Sequence, residues 1–159
     1  MTTALLGLSL ITPLFAQDTT PFPNPPSIKG LQVQMNDDAL ALGIHHGGVN
    51  INVAGLVDPE KKPGNPKRVV DGFEFSFHES YLRHLDSQIK PLSDQGVLVY
   101  LIVLAYPSKN EAVDALVVHP DARKDYQYTV AGFNSVTPEG RAWLKAVTLE
   151  MASRWSGAR

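Results

Sequence analysis

Nine consecutive apolar residues, Val97 to Ala105, constrain this chain more than any other feature. A strand that long without polar alternation is expected to be buried on both faces, the mark of a parallel strand sandwiched by helices. Parallel strands need crossovers, and the flanking segments read as helices. Before it, Glu79 to Ser93 places Leu82, Leu85, Ile89 and Leu92 on one face. Pro91 is expected to kink or end that helix, and Gln95-Gly96 to close it. After it, Thr137 to Trp155 reads as a long amphipathic helix. Thr137 is its N-cap, Pro138 its first residue and Glu139 a charge suited to its positive end. Its buried stripe is read as Trp143, Leu144, Val147, Met151 and Trp155, with Arg141, Lys145 and Arg154 off that face.

The earlier segments repeat the alternation. Ile28 to Gln34 alternates apolar and polar residues as a first strand. Asn36 to Leu42 is a short helix with Asn36, Asp37 and Asp38 as candidate caps, stopped by Gly43. Gly48 to Val53 is a second strand. Phe73, Phe75 and Phe77 alternate with polar residues in a short extended segment, and Glu111 to Val117 is a weak helical patch. The reading is therefore α/β, with three successive βα units. Short loops precede the strands (43–48 and 95–96) and long ones follow them (54–78 and 106–136). In (β/α)8 barrels the loops that follow strands build the active-site face. Doubly wound sheets show similar lengths.

Composition excludes several classes. Apolar content is 43% and charged content 19%, as in globular domains. Net charge is −2 with no basic block, which gives no footprint for nucleic acid. There is no cysteine, hence no disulfide, thiol nucleophile or Cys-based zinc site. No Gly-rich phosphate loop and no nucleophile elbow are present, so no cofactor is expected. Ala4 to Phe15, about 12 residues and nearly all apolar, is shorter than the roughly 20 needed to span a bilayer. It fits the apolar region of a signal peptide over 1–17, although no Lys or Arg precedes it. Residues 18–27, with Pro21, Pro23, Pro25 and Pro26, read as an extended linker. Export, periplasmic or extracellular, is the expectation.

Asp37 to Ile44, followed by Gly48 to Val53, resembles the second βα step of clan A glycoside hydrolases. The likeness extends through Leu85-Asp86, Pro91 to Val97, His119 to Ala122 and Phe133 to Arg141. Together these segments resemble an uncharacterised bacterial secreted family, a domain of unknown function related to glycosidase barrels. The resemblance implies that residues 28–159 are the first three βα units of a TIM (β/α)8 barrel, incomplete because such barrels run to about 250 residues. It implies a carbohydrate ligand. It also implies that the catalytic acid, a Glu after strand four, and the nucleophile, a Glu after strand seven, lie outside this chain. A retaining hydrolase needs that pair about 5.5 Å apart. The Asn110-Glu111 dipeptide falls beyond the strand end, and Glu111 reads as a helix-start residue. No catalytic residue is assigned. The alternatives are a carbohydrate-binding pseudoenzyme and a complete small α/β domain that pairs with another chain.

Four residues are candidate substrate contacts. In the second strand Val49, Ile51 and Val53 are expected to face the helices and Asn50 and Asn52 the barrel interior. Asn52, near the C-terminal end, is placed to bond sugar hydroxyls, or else to join a self-satisfied polar network. Tyr106 directly follows the third strand and is suited to sugar stacking, or to packing beneath the long loop. His119 and Asn134 lie on that loop, with Asp121 beside them, as ligand contacts or as pins for the loop. Phe73, Phe75 and Phe77 read as a hydrophobic plug before a sugar platform. His45-His46 precedes a strand, where adjacent side chains point apart, so no metal site is assigned. Lys61-Lys62 and Lys67-Arg68 read as a solvated loop.

Overall fold

The computed structural model of the protein describes residues 24–122 and 130–156. The signal-peptide segment and most of the linker lie outside the described residues. Three strands form a parallel sheet in the order β1 (Gly30–Gln32), β2 (His46–Asn52), β3 (Leu98–Leu104). Register runs from His46 opposite Leu98 to Asn52 opposite Leu104. The helices are α1 (Asn36–Ala41), α2 (Glu79–Asp94), α3 (Glu111–Val117) and α4 (Pro138–Trp155). The mixed α/β class is as expected.

The alternation in β2 is clear. Val49, Ile51 and Val53 are buried with Leu82, Leu85 and Ile89, whereas Asn50 is exposed. The expectation for β3 needs correction. Residues paired in a parallel ladder share a face, so Tyr100, Ile102 and Leu104 lie with Gly48, Asn50 and Asn52. Tyr100 is 47% exposed, and Ile102 and Leu104 are only half-buried. Val99, Leu101 and Val103, on the other face, are half-buried as well but pack against the core, whereas Tyr100, Ile102 and Leu104 do not, so one face of the sheet is covered and the other is bare of such packing among the described residues. The physical reason is strand order. Each strand is laid down beside the last in the same direction, and right-handed crossovers then place their helices on one side.

Pro91 does not end α2, which continues to Asp94. A proline lacks the N–H that would bond the carbonyl four residues back, here Ser87. Asn36 Nδ2 donates to Ser87 O at 3.3 Å and to Gln88 O at 3.1 Å. The orphaned carbonyl is thus satisfied from α1. Asn36 accordingly does not cap α1. That role falls to Met35, which makes no side-chain cap bond.

The long loop after β2 contains a hairpin that sequence reading resolved only in part. Strands Lys67–Val70 (β4) and Phe73–Ser76 (β5) pair antiparallel around Asp71-Gly72, both at positive φ (50° and 86°). Asp-Gly is the favoured pair for such a turn. Lys67 and Arg68 are therefore strand residues rather than a solvated loop. Arg68 Nε bonds Glu150 Oε2 at 2.7 Å, and Lys145 Nζ reaches Asp71 at 2.8 Å, so the hairpin is fastened to α4. Phe75 and Phe77 pack on Trp143 with centroids 5.4 and 5.0 Å away, the expected plug.

The buried face of α4 is rotated from its predicted stripe. It comprises Gly140, Ala142, Trp143, Ala146, Val147 and Glu150, while Leu144, Met151 and Trp155 are half-buried. At the far end Arg154 makes a two-pronged bond to Asp86 (2.9 and 2.6 Å), and Trp155 Nε1 donates to the same carboxylate at 2.9 Å. This clamps α4 to α2.

The Asn36 bridge is expected to matter beyond its own short helix. Asn36→Ala should lower unfolding free energy by about 0.5–1.5 kcal/mol, the net worth of an intramolecular hydrogen bond, because Ser87 is exposed and water can replace the lost donor. Pairing it with Pro91→Ala should recover most of that loss in denaturant titrations, because the residue 91 N–H then serves Ser87. Equal losses in the two backgrounds would contradict the bridge.

Candidate functional site

The C-terminal end of the parallel sheet brings two of the predicted residues together. Asn52 Oδ1 accepts from the Ala54 N–H at 3.1 Å and the Tyr106 N–H at 3.4 Å. The Asn52 backbone N–H donates to Tyr81 Oη at 3.1 Å. Asn52 thus ties the end of β2 to the residue beyond β3 and to α2. Among the described residues its Nδ2 has no partner, leaving a donor at this edge. Tyr106 beside it is half-buried.

The other two lie elsewhere. His119 is half-buried, and its Nδ1 accepts from the Asp121 N–H at 3.1 Å, holding a turn. Its backbone N–H bonds Gly132 O at 2.8 Å. Asn134 is wholly buried. Its Nδ2 donates to Ala115 O (2.8 Å) and Thr137 Oγ1 (2.9 Å). Its Oδ1 accepts from the Val136 N–H (3.3 Å) and the Thr137 N–H (3.1 Å). An Asn side chain with four internal bonds has nothing left for a ligand. It builds the start of α4, where Thr137 also caps Gly140 N–H at 3.0 Å. Gly140 is obligatory there, because a Cβ would sit 2.3 Å from Asn134 O. Glu111 begins α3 behind Asn110, whose Oδ1 accepts from the Ala112 and Val113 N–H groups. His45 and His46 lie at the opposite end, where His45 O accepts from the Leu98 N–H. Among the described residues no group of three potential metal ligands comes together.

A second feature was not anticipated. A cavity of about 240 Å³ opens between the hairpin, α3 and the first turns of α4, lined in part by Asp58, Lys61, Glu74, Phe75, Glu139 and Trp143. Its walls all come from segments that follow β2 or β3. Asp58 is 2% exposed, yet ionised. Burial pushes its pKa up, but hydrogen bonds from Asn65 and Ser76 and the Lys62 N–H, with the nearby His78, outweigh this and hold it at about 2. All three bonds go to Oδ2, at 2.9, 2.8 and 2.7 Å. Oδ1 is buried without a partner, as is Trp143 Nε1. Each such atom costs about 1–3 kcal/mol. Sequence reading gave Asp58 no role. An Asp-Pro step in a long loop is too common a turn signal to single out.

The profile of a family described as a family of unknown function (DUF5722) matches residues 21–159. No curated protein and no solved structure matches the chain.

Acid should test the Asp58 assignment. Its folded pKa, about 2, lies below its ordinary 3.8, so its stabilisation is present above that ordinary value and lost as pH falls through about 2. Asp86 is also held low, by the Arg154 hydrogen bonds against partial burial, and adds in the same direction. Asp58→Asn should be less stable near neutrality and lose less stability on acidification, as followed by denaturation midpoints down to about pH 2. Parallel curves for the two proteins would refute the assignment.

Proposed function

We propose that this chain, which belongs to the DUF5722 family, forms the first three βα units of a (β/α)8 barrel of glycosidase lineage that is exported and acts on or binds carbohydrate. The observation that carries this reading is the one-sided sheet. Three parallel strands follow one another in chain order without reversal. A doubly wound sheet reverses direction and covers both faces, whereas a barrel turns its second face inward. Tyr100, Ile102, Asn50 and Asn52 on the bare face would then be interior residues. The edge of β3 that has no strand partner among the described residues is where a fourth strand would pair.

Sugar binding is supported by the end of the sheet. Asn52 Nδ2 offers a donor beside Tyr106, on the side where barrel enzymes bind substrate. An aromatic ring with adjacent amide donors suits a sugar, whose faces are apolar and whose edge is hydroxylated. The proposal assigns no catalytic carboxylate to this chain and gives it a binding role without turnover. Export rests on the apolar segment from Ala4 to Phe15.

A second reading has support in the same bare face. Exposed Tyr100 with half-buried Ile102 and Leu104 is an apolar surface that another chain can cover. Concentration-dependent dimerisation in sedimentation, abolished by Ile102→Lys, would favour it.

The carbohydrate reading predicts retention of the full chain on at least one insoluble polysaccharide. Tyr106→Ala should weaken retention about tenfold. Glycosides with chromogenic leaving groups should not be turned over. Retention indifferent to both Tyr106→Ala and Asn52→Ala would sink the binding site, and turnover would sink the assignment of catalysis elsewhere.

A further inference from the structure

The hydrogen bonds at the C-terminal end of the sheet divide unevenly between acceptors and donors. β1 stops at Gln32, opposite Gly48, so the Asn52 N–H has no strand beside it. Tyr81 Oη stands in for that strand and accepts from the Asn52 N–H at 3.1 Å. The Tyr81 ring lies against the following turn, where a Cβ on Gly55 would sit 3.2 Å from Tyr81 Cε1. The oxygens at the strand ends are already engaged. Asn52 O accepts from the Gly55 N–H at 3.0 Å, Leu104 O from the Val53 N–H at 2.9 Å and Ala105 O from the Ala131 N–H at 2.7 Å. Asn52 Oδ1 accepts from the Ala54 and Tyr106 N–H groups, which also fixes the other branch of that amide as the nitrogen.

Donors remain. Asn52 Nδ2 bonds nothing among the described residues. Nor is it one of the two buried side-chain atoms without a partner, Asp58 Oδ1 and Trp143 Nε1, so it is open to solvent. Tyr81 Oη accepts from the Asn52 N–H and keeps its own proton, which has no acceptor among the described residues. A sugar hydroxyl could accept here, but it would bring a proton of its own to strand ends whose oxygens are taken. A carboxylate or amide carbonyl oxygen accepts more than one bond and brings no proton. Tyr106, beside Asn52, supplies aromatic surface for the ring that carries it.

We propose that the sheet-end site selects a sugar bearing an acceptor oxygen that carries no proton, with Asn52 Nδ2 and the Tyr81 O–H as its donors. The carboxylate of a uronic acid and the carbonyl of an N-acetylated amino sugar share that chemistry. The inference rests on the carbohydrate reading above and narrows it to a class of sugar. Tyr81 enters the site as a specificity-determining residue.

The Tyr106 backbone N–H, bonded to Asn52 Oδ1, is the reporter. The ¹⁵N-labelled full chain is titrated with D-glucuronate, N-acetyl-D-glucosamine and D-glucose. The Tyr106 signal should move saturably with one of the first two, at concentrations where glucose leaves it in place. Whichever of the two moves it identifies the acceptor as carboxylate or amide carbonyl. Tyr81→Phe keeps the ring and removes the O–H, and should weaken that binding about tenfold. Asn52→Asp keeps an oxygen for the two backbone N–H groups and replaces the donor with an acceptor, and should abolish it. Equal movement with glucose would overturn the selectivity and leave the carbohydrate reading standing. Binding unchanged in both variants would overturn the assignment of donors. No movement with any of the three sugars would overturn the proposal, while polysaccharide retention that depends on Tyr106 would still uphold the broader reading.

Discussion

The direction in which the strands are laid down governs the rest of this structure. β1, β2 and β3 are added side by side, each parallel to the last. Because crossovers are right-handed, helices on successive steps fall on one side. Val49 and Ile51 are therefore sealed under α2, while Asn50 and Tyr100 on the opposite face meet solvent. Everything else adapts to that asymmetry. α1 lies against α2, where Asn36 supplies the bond that Pro91 withholds.

The segments after the strands do the second half of the work. The hairpin, α3 and α4 lie outside the parallel sheet, and α4 packs against both of the others. Trp143 is the centre of that packing, with Phe75 and Phe77 on one side of it and the cavity on another. Electrostatic ties hold the rim: Arg68 to Glu150 and Lys145 to Asp71. The second is exposed and contributes little. The first is mostly screened from solvent and fixes the angle of the hairpin on α4. Asp58 closes the hairpin's base through Asn65 and Ser76.

Much of the frame was legible in the sequence because it depends on periodicity and on local caps. The alternation from Val49 to Val53, the apolar face of α2 and the Thr137-Pro138 start of α4 are short-range signals that the structure retains. What failed depended on distant partners. Pro91 reads as a breaker until Asn36 is seen to reach Ser87, 51 residues away. Arg68 reads as solvated until Glu150 appears beside it, and the same contact turns the buried face of α4 toward Glu150. The apolar run of β3 promises two covered faces, but hydrophobicity reports what a strand can bury and not what is there to bury it. Among the predicted site residues, Asn52 and Tyr106 lie side by side because the ends of adjacent parallel strands are predictable places. Asn134 is a good binding residue by type, and only its four internal bonds show that it is fully used. Asp58 was missed because an orphaned carboxylate oxygen is a property of packing.

The central claim is that this sheet has one covered face and one bare face. Hydroxyl-radical footprinting of the full chain, read residue by residue by mass spectrometry, measures it directly. The account predicts strong labelling of Tyr100 and clear labelling of Ile102, with Ile51 and Leu85 protected. Protection of Tyr100 and Ile102 equal to that of Ile51, in a chain shown to be monomeric, would contradict it.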